Sequence, residues 1–148
     1  MPEKLLNDQI IGQIHEAFSS LKEPVAILFF GSRETCDYCD DTRQLLEEVV
    51  AINERLTLDV YDIDVDPEVA KLYHVDKTPG IVIAGKNGDQ LIDFGIQYSG
   101  IPSGHEFATL IQDILLASGR DSGLNPQTRE YLKGLKKPLH LQVFVTPT

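Results

Sequence analysis

Cysteine is nearly absent from this sequence: the 148-residue chain holds two, Cys36 and Cys39. So few exclude the multi-bridge framework of a small secreted module. Cations are scarce too. Thirteen Lys and Arg stand against 23 Asp and Glu, for a formal net charge of −10. That balance excludes binding along a phosphate backbone, which needs clustered Lys and Arg; otherwise it speaks for solubility and names no partner. No apolar run approaches the roughly 18 residues of a membrane helix. The opening MPEKLLNDQIIGQI carries acids and Gln within its apolar spacing, unlike a secretory signal. A cytoplasmic protein with no membrane or nucleic-acid partner is the expectation.

Hydrophobic spacing supplies the organisation. Leu6, Ile10, Ile14, Ala17, Phe18 and Leu21 recur at helical intervals, so an amphipathic helix is predicted up to Glu23-Pro24. Val25 to Phe30 is an unbroken apolar run, suited to a central strand covered on both faces. A second helical pattern follows through Leu45, Leu46, Val49, Val50 and Leu56. LTLDVYDID then reads as a strand, and Pro67 opens a short helix. This alternation implies parallel pairing through right-handed crossovers. The order then changes: GIVIAG and QLIDFGIQYS flank Lys86-Asn87-Gly88-Asp89, a hairpin signal. Phe107, Leu110, Ile111, Ile114 and Leu115 form one helical face that closes near Gly119. The class is α/β.

The tail repeats an earlier segment. LKEPVAILFFGSRET, from Leu21, and LKKPLHLQVFVTPT, from Leu135, both open Leu-Lys-x-Pro, run through an apolar strand and end in Thr. A helix is predicted over PQTREYLKGLKK before the second copy. The expected division is a complete unit over residues 1–119, then the first helix and strand of a second unit over 120–148. The predicted strand Leu139–Val145 has no second unit to join, and an apolar edge invites pairing with another chain or with the first unit. A homodimer through this strand is one expectation.

The chemistry centres on C-D-Y-C. Cys36 is expected where a buried strand turns into a helix, at the sheet end where sites form in open α/β folds. A helix N-terminus carries unpaired N–H groups and about half a positive charge. With a C-x-x-C motif it brings a thiol from near ~8.5 to roughly 3.5–7.5. Residues i and i+3 of a helix lie about 5–6 Å apart, and a disulfide needs Cα atoms about 4.4–6.8 Å apart. Cys36 is then the attacking thiolate and Cys39 the resolving thiol. Glu34, Asp37, Asp40 and Asp41 oppose thiolate formation; Arg33 and Arg43 support it. Tyr38 either shields the pair, contacts substrate, or is a plain surface aromatic. Other readings stay open. A structural zinc site needs four Cys or His ligands, whereas His15, His74, His105 and His140 are scattered, leaving only a site shared between chains. The pair could also sit in a redox-silent binding module, or act as a structural staple. A second motif, Lys77-Thr78-Pro79-Gly80, precedes the hairpin. A cis Thr78–Pro79 bond would aim the Thr78 backbone at the Cys pair to hold an extended peptide, but cis is only about 5–6% of X–Pro bonds.

C-D-Y-C after an apolar strand, Thr78-Pro79 before the antiparallel hairpin, and the element order together resemble the thioredoxin/glutaredoxin superfamily. Tyr38 in C-x-Y-C is similar to glutaredoxins. Trp is absent, and Phe30 stands where thioredoxins place a buried acid. The extra N-terminal helix, SGIPSGHEF (Ser99 to Phe107) and VFVTPT (Val143 to Thr148) resemble the glutaredoxin-like protein disulfide oxidoreductases, which fuse two thioredoxin units. The resemblance implies a thioredoxin-like fold, a central mixed sheet flanked by helices, with a C-terminal helix-strand extension. It implies catalytic Cys36 and Cys39, and a substrate-binding groove at Tyr38, Thr78 and a cis Pro79. It implies no bound cofactor or metal, electrons from an NADPH-dependent, thioredoxin-reductase-like flavoprotein, and protein disulfides as substrates, with peroxiredoxin among the partners. His105, in the first turn of a helix, is expected to be a solvated surface residue without a role.

Overall fold

The computed structural model describes residues 3–146. Its centre is a four-stranded sheet in the order β2-β1-β3-β4, formed by β1 (Val25–Gly31), β2 (Leu56–Asp62), β3 (Gly80–Asn87) and β4 (Gln90–Ser99). β1 pairs parallel with β2 and antiparallel with β3, and β3 pairs antiparallel with β4. The mixed sheet thus has the predicted form, and β1 is parallel on one edge only. Its apolar run is buried along its whole length because alternate residues serve two cores. Val25, Ile27 and Phe29 join a cluster with Phe18, Leu46 and Ile114; Ala26, Leu28 and Phe30 join a smaller one with Ala70 and Tyr73.

Five helices form among the described residues: α1 (Asp8–Phe18), α2 (Cys39–Val50), α3 (Pro67–Leu72), α4 (His105–Gly119) and α5 (Pro126–Lys133), the last burying no residue. α1 is shorter than its apolar spacing suggested, because Asn7 caps it, its Oδ1 accepting from the Ile10 N–H at 2.8 Å. Ahead of that cap, the Glu48 carboxylate of α2 accepts from the backbone N–H groups of Leu5 and Leu6, at 2.9 and 2.8 Å. Burial raises the Glu48 pKa, but the Gln44 amide, these two N–H groups and nearby Lys4 outweigh it, and the carboxyl sits below its ordinary value. A group depressed in the folded state stabilises it above the unfolded pKa, and that contribution is lost as pH falls through the folded value. Protection of the Leu5 and Leu6 amides, taken relative to intrinsic exchange at each pH, is therefore expected to fall in the acid limb. In Glu48→Gln that protection is expected to be lower already at neutral pH and to change little with acid.

The closing helix is tied to the sheet by polar contacts. The buried Ser118 hydroxyl donates to the Glu23 carbonyl at 2.7 Å and accepts from the Lys22 and Glu23 N–H groups at 2.8 and 3.1 Å. Arg120, in the left-handed region at φ 54°, ends α4. Its guanidinium donates to the carbonyls of Ala117, Pro24 and Lys86. Ser118→Ala leaves the Lys22 N–H unpaired and is expected to cost about 1–3 kcal/mol, read as a fall in Tm of about 2–4 °C for each kcal/mol.

The tail departs from expectation. α5 forms, capped by Asn125 and opened by Pro126, but it ends at Lys133. Residues 138–145 form no strand and lie exposed, Phe144 at 88%. The predicted helix-strand extension is thus a helix followed by residues without regular structure, and residues 138–145 add no strand to the sheet of the first unit. A strand exists only where a neighbour takes up its N–H and C=O groups, and no described strand does so here. Pro147 and Thr148 of V-F-V-T-P-T lie outside the described residues.

Candidate active site

Cys36 and Cys39 form a disulfide, with Cα atoms 5.5 Å apart. One correction concerns its frame. α2 begins with Cys39, and Tyr38 is its N-cap residue, so Cys36 precedes the helix instead of forming its tip. Asp37 and Tyr38 make a turn between the two sulfurs. Thr42, fully buried one turn further on, secures that turn: its N–H and its hydroxyl both donate to the Tyr38 carbonyl, at 3.0 and 2.7 Å. The two sulfurs are unequal. Cys39 is 8% exposed, and Cys36 is the more accessible. Tyr38 is 58% exposed.

Burial of the Cys39 sulfur depends on a glycine. A methyl group at Gly31, the last residue of β1, would stand 3.3 Å from Cys39 Sγ and 3.1 Å from the Phe29 ring. The loop after Gly31 is held by carboxylates of the β2–α3 connection. Ser32 Oγ donates to Asp64 Oδ2 at 2.6 Å, while the Arg33 N–H donates to Asp62 at 3.3 Å and its guanidinium lies 3.6 Å from the same carboxylate. Arg33 lies beside Asp62, and Arg43 beside Glu47 at 2.8 Å, so each cation near the pair also has a carboxylate neighbour. Gly31, Thr42, Ser32, Asp62 and Asp64 carry no motif. Only Thr42, three residues after Cys39, had a detectable helical relation to the pair.

The Thr78–Pro79 bond is cis. Pro79 is buried and Thr78 half-buried. Gly80, which follows, pairs with Phe30 across β1 and with Ser99 across β4. Register thus brings Thr78-Pro79 to the end of the sheet from which the disulfide loop leaves. The Pro79 carbonyl accepts from the Gly100 N–H at 2.8 Å. The Thr78 N–H and carbonyl have no hydrogen-bond partner among the described residues. Phe30, at the position of a thioredoxin's buried acid, is fully buried and stacked on Tyr61 with centroids 5.3 Å apart. His105 opens α4 and is exposed. Two surface cavities, of about 350 and 430 Å³, include no residue of the disulfide loop. No group of three or more His, Cys, Asp or Glu side chains among the described residues is placed to hold a metal. No helix among them is long and apolar enough to cross a membrane.

A family model described as a thioredoxin domain matches residues 25–112, from the first residue of β1 into α4. The chain belongs to the thioredoxin domain family. Its Cys36–Cys39 disulfide is a C-x-x-C site of the thioredoxin type. Among solved structures, a protein disulfide oxidoreductase from Aeropyrum pernix is 25% identical, with a TM-score of 0.77 over 88% of this chain and 55% of that one. The N-terminal domain of the alkyl hydroperoxide reductase AhpF from Enterococcus faecalis shares the fold, at 24% identity and a TM-score of 0.78, covering 89% of this chain and 62% of that one. Among curated proteins, the AhpF component of alkyl hydroperoxide reductase in Staphylococcus epidermidis is 26% identical over 144 residues, 97% of this chain. Its Pseudomonas aeruginosa counterpart is 23% identical over 140 residues. The chain spans about a quarter of the length of these relatives, 25% and 24%.

Proposed function

We propose that this thioredoxin-family chain is a thiol–disulfide oxidoreductase acting on protein disulfides. The observation that carries the reading is the asymmetric pair: Cys36 accessible before a helix, Cys39 buried as that helix's first residue. In the reduced protein the Cys36 thiolate attacks one sulfur of a substrate disulfide. A mixed disulfide forms and one substrate thiolate leaves. Cys39, giving up its proton, attacks Cys36 Sγ and expels the second substrate thiolate. The substrate gains two electrons and two protons, and the protein returns to the disulfide form. Thr78, with its unpaired backbone groups, would hold an extended substrate segment beside Pro79, as an added strand is held at a sheet edge. Exposed Tyr38 would contact it from the other side.

Re-reduction needs an external donor. The resemblance to protein disulfide oxidoreductases favours an NADPH-dependent flavoprotein as that donor and a peroxiredoxin among the clients; relatives named alkyl hydroperoxide reductase and NADH dehydrogenase favour a peroxide-reducing, nicotinamide-linked setting. The resemblance to two-unit oxidoreductases and the repeat of Leu21–Thr35 at Leu135–Thr148 favour reading residues 120–148 as the start of a second unit. The exposed apolar residues 139–145 would then pair with a second copy of the chain, and the setting would be the cytoplasm. The test is to equilibrate the purified protein in a series of dithiol/disulfide buffers, alkylate it, and count labelled thiols by intact mass. Both thiols are expected to titrate together with a two-electron midpoint. Thiols that never pair would leave a redox-silent binding module, and zinc retained in the native mass would leave a metal module.

A further inference from the structure

Charge around the disulfide is not balanced. Glu34, Asp37, Asp40 and Asp41 are exposed, and none of their carboxylates makes an ion pair or a hydrogen bond among the described residues. Every cation close to them in the chain or at the Thr78 loop is already taken: Arg33 by Asp62, Arg43 by Glu47, and Lys77 by Asp76 at 3.0 Å. Asp40 and Asp41 stand in the first turn of α2, where the helix dipole favours them. Glu34 and Asp37 precede the helix, and both lie in the loop that carries Cys36. The opposite end of the sheet is mixed: Arg55 and Lys86 stand there with Glu54 and Asp89.

From this local excess of unpaired carboxylates we infer the substrate class of the site proposed above: protein disulfides flanked by Lys and Arg. The inference rests on that redox reading. An incoming segment held by the Thr78 backbone places the residues beside its cysteine over the Glu34–Asp41 loop. Basic residues there meet four uncompensated carboxylates; acidic ones meet like charge. Complementary charge raises the encounter rate and suppresses wrong partners more than it changes final affinity.

The test uses three disulfide peptides of one sequence, with the cysteine flanked by Lys, by Gln or by Glu. Second-order rate constants for reaction with the reduced chain are measured at low and at 1 M salt. At low salt the Lys peptide is expected to react about tenfold or more faster than the Glu peptide, the Gln peptide falling between. At 1 M salt, where the screening length is about 3 Å, the three rates are expected to converge. In Glu34→Gln/Asp37→Asn/Asp40→Asn/Asp41→Asn the low-salt ratio of Lys to Glu peptide is expected to fall to about two or less. Ratios within one protein cancel any change in Cys36 reactivity that the lost charges bring. Equal low-salt rates for the Lys and Glu peptides in the parent chain, with the Gln peptide reacting normally, would overturn the charge preference alone. If none of the three reacts, the redox reading itself falls and takes the preference with it.

Discussion

Cys39→Ser is expected to attack a substrate disulfide once and stop there. Its Cys36 thiolate can open the substrate bond, but no second sulfur is present to expel the substrate. The mixed disulfide therefore accumulates, visible in intact mass as chain plus substrate and reversed by added dithiol. Cys36→Ser is expected to form no such adduct, because the remaining sulfur is only 8% exposed behind the helix start. Both variants are expected to lose turnover by at least about 10³-fold, the scale seen when one member of a unit acting together is removed. The structural cost should be small at half-buried Cys36 and larger at Cys39, where the serine hydroxyl enters the apolar core. The asymmetry is what matters. If the two variants trapped substrate equally well, the assignment of attacking and resolving roles from burial would be wrong, even though the pair remained redox-active.

Gly80→Ala is expected to be the most damaging of the single-methyl changes near the site. An added Cβ would lie 2.8 Å from Val75 Cγ1 and 2.9 Å from the Lys77 carbonyl oxygen. The side chain can shift; the backbone carbonyl cannot move without carrying the Lys77–Pro79 loop with it. Overpacking of this kind typically costs about 1–3 kcal/mol. The loop is also the proposed substrate edge, so the loss should appear twice: as a lower Tm, and as a weaker apparent affinity for peptide disulfides at a temperature where the variant is folded. Gly31→Ala offers a graded comparison. Its nearest neighbours, the Phe29 ring and Cys39 Sγ, are side-chain atoms at 3.1–3.3 Å. It should cost less stability and act on the disulfide rather than on the Thr78 edge. A Gly80→Ala protein with unchanged Tm would show that the loop relaxes freely, and would weaken the case for Thr78 as a fixed edge.

The reasons why parts of this molecule were legible are local. The apolar run Val25–Phe30 could hardly be anything but a strand covered on both sides, and the Asn87-Gly88 turn had a residue suited to φ 61°. The mixed sheet followed from helix–strand alternation that gives way to a hairpin. C-D-Y-C named its own chemistry. Helix ends were less legible. Spacing extends a helix until a cap stops it, and Asn7 and the Tyr38 turn set the real starts of α1 and α2. The bulge in β4 was also invisible: Ile83 pairs with Ile96 but Ala84 with Asp93, and Gly95 takes φ 76° where the extra residues are absorbed.

By itself, the sequence determined the class of fold, the order of its elements and the two sulfurs that define the site. Those are written in short-range patterns, the alternation and spacing of apolar residues and the i, i+3 separation of the cysteines. Only the tertiary structure placed Gly31, which has no side chain, beside the Cys39 sulfur, because that contact joins the end of β1 to the start of α2. It alone placed Arg33 beside Asp62, since that pairing joins the disulfide loop to the end of β2, 29 residues away in the chain. It alone left residues 138–145 without a strand: an apolar segment has the propensity to be one, but the hydrogen bonds that make it one must come from a neighbour.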